Sequence, residues 1–371
     1  MRVAQVVGTN GKGTTAVSLA ASLEAASIPA GTYLSPHLFS YTERVMIRGR
    51  FVSEERFATA MGEVIDVADA NSVPASQFEL LTAGTLKLFA DEGLSWAVLE
   101  AGLGARYDAT TAAAPEAVVL TNVGLEHTEY LGETVEEISR EKLASLAPGA
   151  VLILGTDDPR VGAIAWERCE EVGARLVEAV SGVKEPPLLA DLPPYAVRNV
   201  RLGLRAAEVL LGQALTDQEQ ARVARRSVGI LPGRFEVHEV RGVPVVVDGG
   251  HNPSGIAATL EAVKSAYGER PLGVVFGALR DKDVRSMLTE LRKEAHVLML
   301  TRPEHERAAD PAHLMRELGP RDREGRQARV ANDVVNAIEA AVEETRELDG
   351  VVLVTGSLYT GAPVLRWLRE E

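Results

Sequence analysis

One cysteine, Cys169, stands in 371 residues, so no intrachain disulfide can form and no zinc–cysteine cluster can be built. Such a chain suits a reducing cytosol. Long apolar runs are missing too: none approaches the roughly 18 residues that a membrane-spanning helix needs. The stretch ahead of Gly8 is too short for the core of a signal peptide, and a cytoplasmic chain without a leader is expected. Positive charge is in deficit, with 39 Lys and Arg against 53 Asp and Glu, a net charge of −14. Binding a nucleic-acid backbone needs clustered Lys and Arg, which argues against such a partner. Any polyanion must be held locally, by metal ions and a few cations.

What the chain does have is apolar content, 46% of its residues, enough for two substantial cores. Short β-rich runs at Val3–Val7, Thr32–Leu34, Trp96–Leu99, Ala117–Leu120 and Val151–Leu154 read as buried strands. Helical patterns fall between them at Thr15–Ala25, Ser53–Ala70, Thr82–Ala90 and Val135–Leu146. This alternation predicts parallel strands with crossover helices. The proline-rich segment Gly182–Pro194 breaks the rhythm, and a helical region, Ala196–Leu211, follows. After Leu231-Pro232-Gly233-Arg234 a second α/β series begins. Its strands are expected at Val243–Val247, Leu272–Phe276, Val297–Leu300 and Val351–Val354, its helices at Gly255–Tyr267, Pro311–Leu318 and Asp333–Thr345. Two domains are expected, residues 1–231 and 232–371.

The opening VVGTNGKGTT resembles a phosphate-binding loop but departs from the strict pattern of Gly, four residues, Gly-Lys-Ser/Thr. Val6 stands where the first glycine belongs, and Gly13 separates Lys12 from Thr14. Strand, glycine-rich turn and helix N-terminus is nevertheless the geometry that binds phosphate through bare amides and the helix dipole. Lys12 would reach the β and γ phosphates, and the Thr14 hydroxyl could meet a magnesium ion. The alternative is a tight βα turn that merely needs glycine.

Glu100, at the end of the Trp96 strand, lies where α/β folds bind ligands. His127, in the loop GLEHTEYLG, could ligate a metal as a neutral imidazole, or be a lone loop histidine. Lys142, in REKLASL, reads by itself as a solvated helix lysine. In VVVDGGHNPSG a strand runs into Asp248 and His251; helix capping is the plain alternative for Asp248. Arg234 sits in the break between the two series, and a site closed by domain movement is expected.

Taken in order, GTNGKGTT, LSPHL, QFELLT, EAGLGARYDATT, GLEHTEYLG, REK, GRFE, DGGHNPSG and GSLY resemble the folylpolyglutamate synthase/dihydrofolate synthase family of the Mur ligase superfamily. The similarity runs from Val3 to about Gly361. It implies an α/β, two-domain Mur-ligase-like architecture, with an N-terminal P-loop ATPase domain built on a mainly parallel sheet and a smaller C-terminal Rossmann-like domain. It also implies an ATP-dependent ligase that adds L-glutamate to a folate or pteroate carboxylate through an acyl phosphate, in a cytoplasmic monomer without nucleic-acid or membrane partners. By that resemblance Gly8, Asn10, Gly11, Lys12, Gly13, Thr14 and Thr15 would hold the triphosphate. Thr14, Ser35, Glu100, His127 and Lys142 would serve two magnesium ions, with Lys142 carbamylated so that it offers anionic oxygens, the donors magnesium prefers. Lys12, His127 and Lys142 would be the catalytic residues. Phe78, Glu79, Tyr107 and Asp108 would contact the pterin. Asn199, Arg234, Asp248 and His251 would contact ATP or line the interdomain cleft. The chain departs from the family in four places: the family's helical segment ahead of the phosphate loop is not in this sequence, Leu143-Ala144-Ser145 follow the lysine, the glutamine expected around Asn199 is missing from PPYAVRNV, and DGGHNP replaces DGAHNP. The first bears on pterin recognition, and a superfamily ligase acting on another carboxylate is the rival reading.

Overall fold

The computed structural model describes residues 1–179, 189, 192–227, 229–319 and 328–369. Most of the proline-rich break predicted at Gly182–Pro194 therefore lies outside the described residues. The chain forms two compact units, residues 1–192 with 196–230, and residues 193–195 with 231–371.

The first unit holds β1 (Arg2–Val7), β2 (Ala30–Tyr33), β3 (Val45–Ile47), β4 (Arg50–Phe51), β5 (Trp96–Glu100), β6 (Ala117–Leu120), β7 (Val151–Leu154) and β8 (Arg175–Glu178). They make an eight-stranded sheet in the order β4-β3-β2-β5-β1-β6-β7-β8. From β2 to β8 every pairing is parallel, and β3 and β4 append an antiparallel edge. Its helices are α1 (Lys12–Ala25), α2 (Glu54–Ala70), α3 (Gln77–Asp91), α4 (Thr128–Leu131), α5 (Val135–Lys142), α6 (Pro159–Val172), α7 (Pro194–Leu211) and α8 (Asp217–Ser227).

Helices cover both faces of the sheet, which explains why the central strands read as unbroken apolar runs. One face buries Val118, Leu120, Leu152 and Leu154 with Leu143, Leu146 and Ile164. Further along the same face, towards β2, Val3, Tyr33, Ala97 and Leu99 are buried with Leu88 and Phe89. Each such side chain contributes about 1.5–3 kcal/mol relative to exposure. Helix starts follow from capping: Ser76 with Glu79 forms a capping box on α3, and Thr134 with Glu137 on α5, each satisfying amides that a helix otherwise leaves bare.

The second unit contains β9 (Glu236–Val240), β10 (Val243–Val247), β11 (Leu272–Phe276), β12 (Ala295–Leu300), β13 (Arg329–Val330) and β14 (Val351–Thr355), with α9 (Pro253–Tyr267), α10 (Val284–Glu294), α11 (Pro311–Leu318), α12 (Val334–Glu347) and α13 (Leu358–Trp367). Its six-stranded sheet runs β13-β12-β11-β14-β10-β9. Only β9 is antiparallel, joined to β10 through Arg241 and Gly242. Both turn residues have positive φ, 50° and 81°, the signature of a tight two-residue hairpin.

Several elements differ from the sequence expectation. α1 starts at Lys12 rather than Thr15, α3 at Gln77 rather than Thr82, and α5 ends at Lys142 rather than Leu146. β3, β4, β8, β9 and β13 were not expected, nor were α6, α8, α10 and α13. β4, β8, β9 and β13 carry exposed residues, so they lack the buried apolar run that marked the central strands; β3 is buried throughout but only three residues long.

Candidate active site

β1 is the switch point of the first sheet. The chain leaves it through α1 for β2, which lies beyond β5, whereas β5 connects to β6 on the opposite side of β1. Ligands of open α/β sheets bind outside the carboxyl ends of strands at such a point. The loop after β1 occupies it. Gly8 has φ 143°, and a Cβ there would lie 1.9 Å from Thr121 Oγ1; Gly11 has φ 82°, and its Cβ would lie 2.3 Å from Asn199 Oδ1. No L side chain fits either place. The loop is stitched to the end of β6. Asn10 N donates to Asn122 Oδ1 at 3.0 Å, while Thr121 Oγ1 and Asn122 Nδ2 donate to Asn10 O at 2.7 and 3.0 Å. Gly11 caps α1 in the left-handed conformation with no side-chain oxygen on the helix amides. The first amides of α1 are thus left without a side-chain acceptor, the arrangement that suits an anion. Lys12 folds over this loop, its Nζ donating to the carbonyls of Gly8 and Thr9, both at 3.0 Å. Gly13 follows inside the helix. Thr14 is half-buried at the rim, whereas Thr15 donates its hydroxyl to Asn199 O and its amide to Gly11 O. Asn199, expected among ATP or cleft contacts, is packed directly on Gly11.

Glu100 is the last residue of β5, buried, and in register with Val6 of β1. It accepts from Ser35 N at 2.9 Å, which brings together two of the expected metal ligands. His127 caps α4 with φ 46°, a left-handed conformation uncommon outside glycine and of the kind found at functional sites. Lys142 overturns the reading of a solvated lysine. It is 2% exposed, and its Nζ donates to Gly8 O at 3.0 Å and to Glu126 Oε1 at 2.7 Å. Two ammonium groups, Lys12 and Lys142, therefore converge on the Gly8 carbonyl. Burial, first, and the charge of Lys12 push the Lys142 pKa below its ordinary value, against the opposing pull of Glu126. Glu126 had not been foreseen; its signal was in the quoted GLEHTEYLG, one residue before His127.

Among the described residues no three His, Cys, Asp or Glu cluster as a metal cage. Magnesium does not require one, because it takes one or two carboxylates and fills its octahedron with water and substrate phosphate oxygens. A buried carboxylate, Glu100, beside the Ser35 loop and the open α1 terminus fits that demand.

Phe78 and Asp108 converge on Gly102, where a Cβ would lie 2.8 Å from Phe78 Cζ and 3.2 Å from Asp108 Oδ2. Asp108 accepts from the amides of Gly102, Leu103 and Thr110 at 2.8, 3.0 and 3.0 Å, so it shapes the loop after β5. Thr110 and Thr111 are held in turn by Gln5 Nε2, from the middle of β1. Tyr107 is 92% exposed. Glu79 is exposed, and its carboxylate accepts from Ser76 N in the α3 capping box at 2.7 Å; the Ser76 side chain, first, and this amide lower its pKa.

After β2, the loop of residues 35–40 is fastened by the short helical turn Tyr41–Arg44. Glu43 accepts from the amides of Leu38, Phe39 and Ser40 at 2.8–2.9 Å. Arg44 Nε donates to His37 Nδ1 at 2.9 Å, and the His37 ring lies 4.2 Å from that of Tyr41. Burial and then the Arg44 charge push the His37 pKa down, against Glu43.

In the second unit Asp248 is buried at the end of β10. It accepts from Tyr195 Oη at 2.6 Å, Phe235 N at 2.9 Å, Gly250 N at 2.9 Å and Thr259 Oγ1 at 2.7 Å. It does not cap α9; Asn252 does, accepting from Gly255 N. Burial, with the Asp248 charge, holds the Tyr195 hydroxyl pKa well above its ordinary value. His251 Nδ1 lies 3.0 Å from Gly249 O, and a Cβ on Gly249 would approach Arg234 Nη1 to 3.0 Å.

A glycine-rich nucleotide loop with a buried lysine at its back, on one of two α/β units, defines a Mur ligase. The Mur ligase middle domain family matches residues 6–174, and the Mur ligase glutamate ligase domain family matches residues 233–358. The chain belongs to the dihydrofolate synthase/folylpolyglutamate synthase family. It is 31% identical to the dihydrofolate synthase/folylpolyglutamate synthase of Escherichia coli, over 97% of this chain and 85% of that one. Its fold is similar to that of E. coli FolC in complex with DHPP and ADP, with a TM-score of 0.85 and 29% identity over 100% of this chain and 89% of that one. It is also similar to a bifunctional folylpolyglutamate synthase/dihydrofolate synthase with Mn, AMPPNP and L-glutamate bound, with a TM-score of 0.81 and 28% identity over 99% and 89%.

Proposed function

We propose that this chain is an ATP-dependent ligase that joins L-glutamate to a folate-type carboxylate, dihydropteroate or a tetrahydrofolyl-glutamate, releasing ADP and phosphate. The observation that carries the reading is the loop after β1, where α1 has no side-chain cap and where Lys12 and buried Lys142 both donate to the Gly8 carbonyl. Family membership supplies the substrate class.

The reaction needs activation because a carboxylate oxygen leaves poorly; phosphorylating it gives an acyl phosphate that the glutamate amine can attack. In this reading the α1 amides and Lys12 hold the phosphates, and Lys12 swings from the Gly8 and Thr9 carbonyls to the transferring group, where its charge stabilises the transition state. Magnesium, when bound, neutralises phosphate charge and orients the transferring group. Thr14, Ser35, Glu100 and His127 are the residues we assign to it. Lys142 joins them as a carbamate, a role supported by burial that favours its neutral, nucleophilic amine. Gly8, Asn10, Gly11, Gly13, Thr15 and Asn199 shape the loop; Arg234 and His251 are assigned to the nucleotide, and Asp248 holds the turn that carries His251. Phe78, Asp108 and Tyr107 belong to the pterin side; Glu79 acts there through the start of α3. Residues 1–231 and 232–371 are assigned as the ATP-binding and glutamate-ligase domains. A cytoplasmic monomer fits the reading, and among the described residues no helix is long and apolar enough to cross a membrane.

The test is phosphate release from ATP with glutamate present, comparing dihydropteroate, tetrahydrofolate and no pterin. Release that depends on both glutamate and a pterin is expected. Release indifferent to every pterin would point to another carboxylate and overturn the substrate assignment.

A further inference from the structure

We propose that His37, held by Arg44 in the tautomer protonated on Nε2, is a further substrate-contacting residue, donating a hydrogen bond to the carboxylate that becomes phosphorylated. The inference rests on the ligase reading above. Arginine has donors only, so the 2.9 Å contact from Arg44 Nε makes His37 Nδ1 an acceptor and leaves the proton on Nε2. An arginine is an unusual partner for that nitrogen: metal-binding histidines ordinarily donate their second N–H to a carboxylate or a carbonyl. The arrangement instead gives a neutral imidazole with one fixed donor.

The rest of the loop is built to keep that donor still. Tyr41 packs against the ring at a tilt of 46°, and its hydroxyl accepts from Gln77 Nε2 at 3.0 Å, which ties it to α3. Leu34 N donates to Arg44 O at 2.8 Å, and Glu43 clamps the amides of Leu38, Phe39 and Ser40. Among the described residues nothing accepts from Nε2, although His37 is only half-buried. Two residues earlier, Ser35 N meets Glu100 on the adjacent strand β5, so the donor stands at the carboxyl edge of the sheet, on the β5 side of the phosphate loop. A fixed neutral donor there suits an oxygen whose charge changes during phosphoryl transfer.

Two replacements separate this role from a structural one. His37→Asn keeps an oxygen near Nδ1 to accept from Arg44 and removes the Nε2 donor. His37→Gln carries an N–H near the Nε2 position. Both are first checked for wild-type melting temperature and ATP affinity. His37→Asn is expected to lower kcat on the order of a hundredfold, the cost of removing one transition-state donor, while His37→Gln recovers most of it. Long-range ¹H–¹⁵N spectra of the ligand-free protein are expected to show Nδ1 without a proton. A folded His37→Asn enzyme with wild-type kcat, or a proton on Nδ1, overturns the proposal. Wild-type enzyme without pterin-dependent turnover overturns the ligase reading and this role with it, a result distinct from a variant that matches an active wild type.

Discussion

Two turns in this chain look alike in sequence and behave oppositely. β1 runs through GTNGKGT into α1, and β10 runs through DGGHNPSG into α9; both pass from a buried parallel strand through glycines to a helix. In the first, Gly11 caps the helix with no side-chain acceptor. In the second, Asn252 accepts from Gly255 N, Pro253 has no amide hydrogen, and Asp248 takes the amide of Gly250 and three further donors. The first turn leaves its helix amides to an anion, and the second satisfies its own. Strand, glycine and helix are therefore not sufficient for phosphate binding; the residue at the N-cap decides. Any ligand contact from the second turn has to come from side chains such as His251.

The comparison can be broken in order of expected effect. Lys12→Ala should lower turnover about a thousandfold or more with an unchanged melting temperature; near-normal phosphate release would take the first turn out of the mechanism. Lys142→Ala should be inactive on the order of a hundredfold and partly recover with added formate or acetate, because a short carboxylate can stand where the carbamate oxygens would lie. Full unaided activity would refute the carbamate. In the second turn the effect should appear in stability instead. Asp248→Ala leaves the Tyr195 hydroxyl and the Phe235 and Gly250 amides without their acceptor, and should cost about 3 kcal/mol in urea unfolding. Asn252→Ala should cost about 1 kcal/mol, the usual value of an N-cap, and leave the KM for ATP unmoved. A large KM change with no loss of stability would show that the second turn is a ligand loop after all.

The parallel core was legible because β1, β5, β6, β7, β10, β11 and β14 are short apolar runs whose burial needs no partner to be recognised. β9, EVHEV, was not, because an edge strand half exposed to solvent carries no such run. The start of α1 at Lys12 was hidden by Gly11 and Gly13, poor helix formers; the left-handed conformation of Gly11 sets it instead. Of the site, Lys12 and Glu100 stood out by motif or position, whereas Ser35 came only from the family resemblance. The roles of Glu126 and Tyr195 depend on partners distant in sequence, Lys142 and Asp248, and no local pattern encodes such pairs. Lys142 was legible only through the family resemblance, since a helical lysine carries no mark of its burial. Asp248 was read with capping as its plain alternative, and Asn252, four residues on, holds that place.

Amide hydrogen exchange with and without magnesium and a non-hydrolysable ATP analogue tests the central claim most directly. The account predicts slowed exchange at Gly11, Lys12, Gly13 and Thr14, whose amides the phosphates would take. Unchanged exchange across residues 11–14, with the analogue bound, would contradict it.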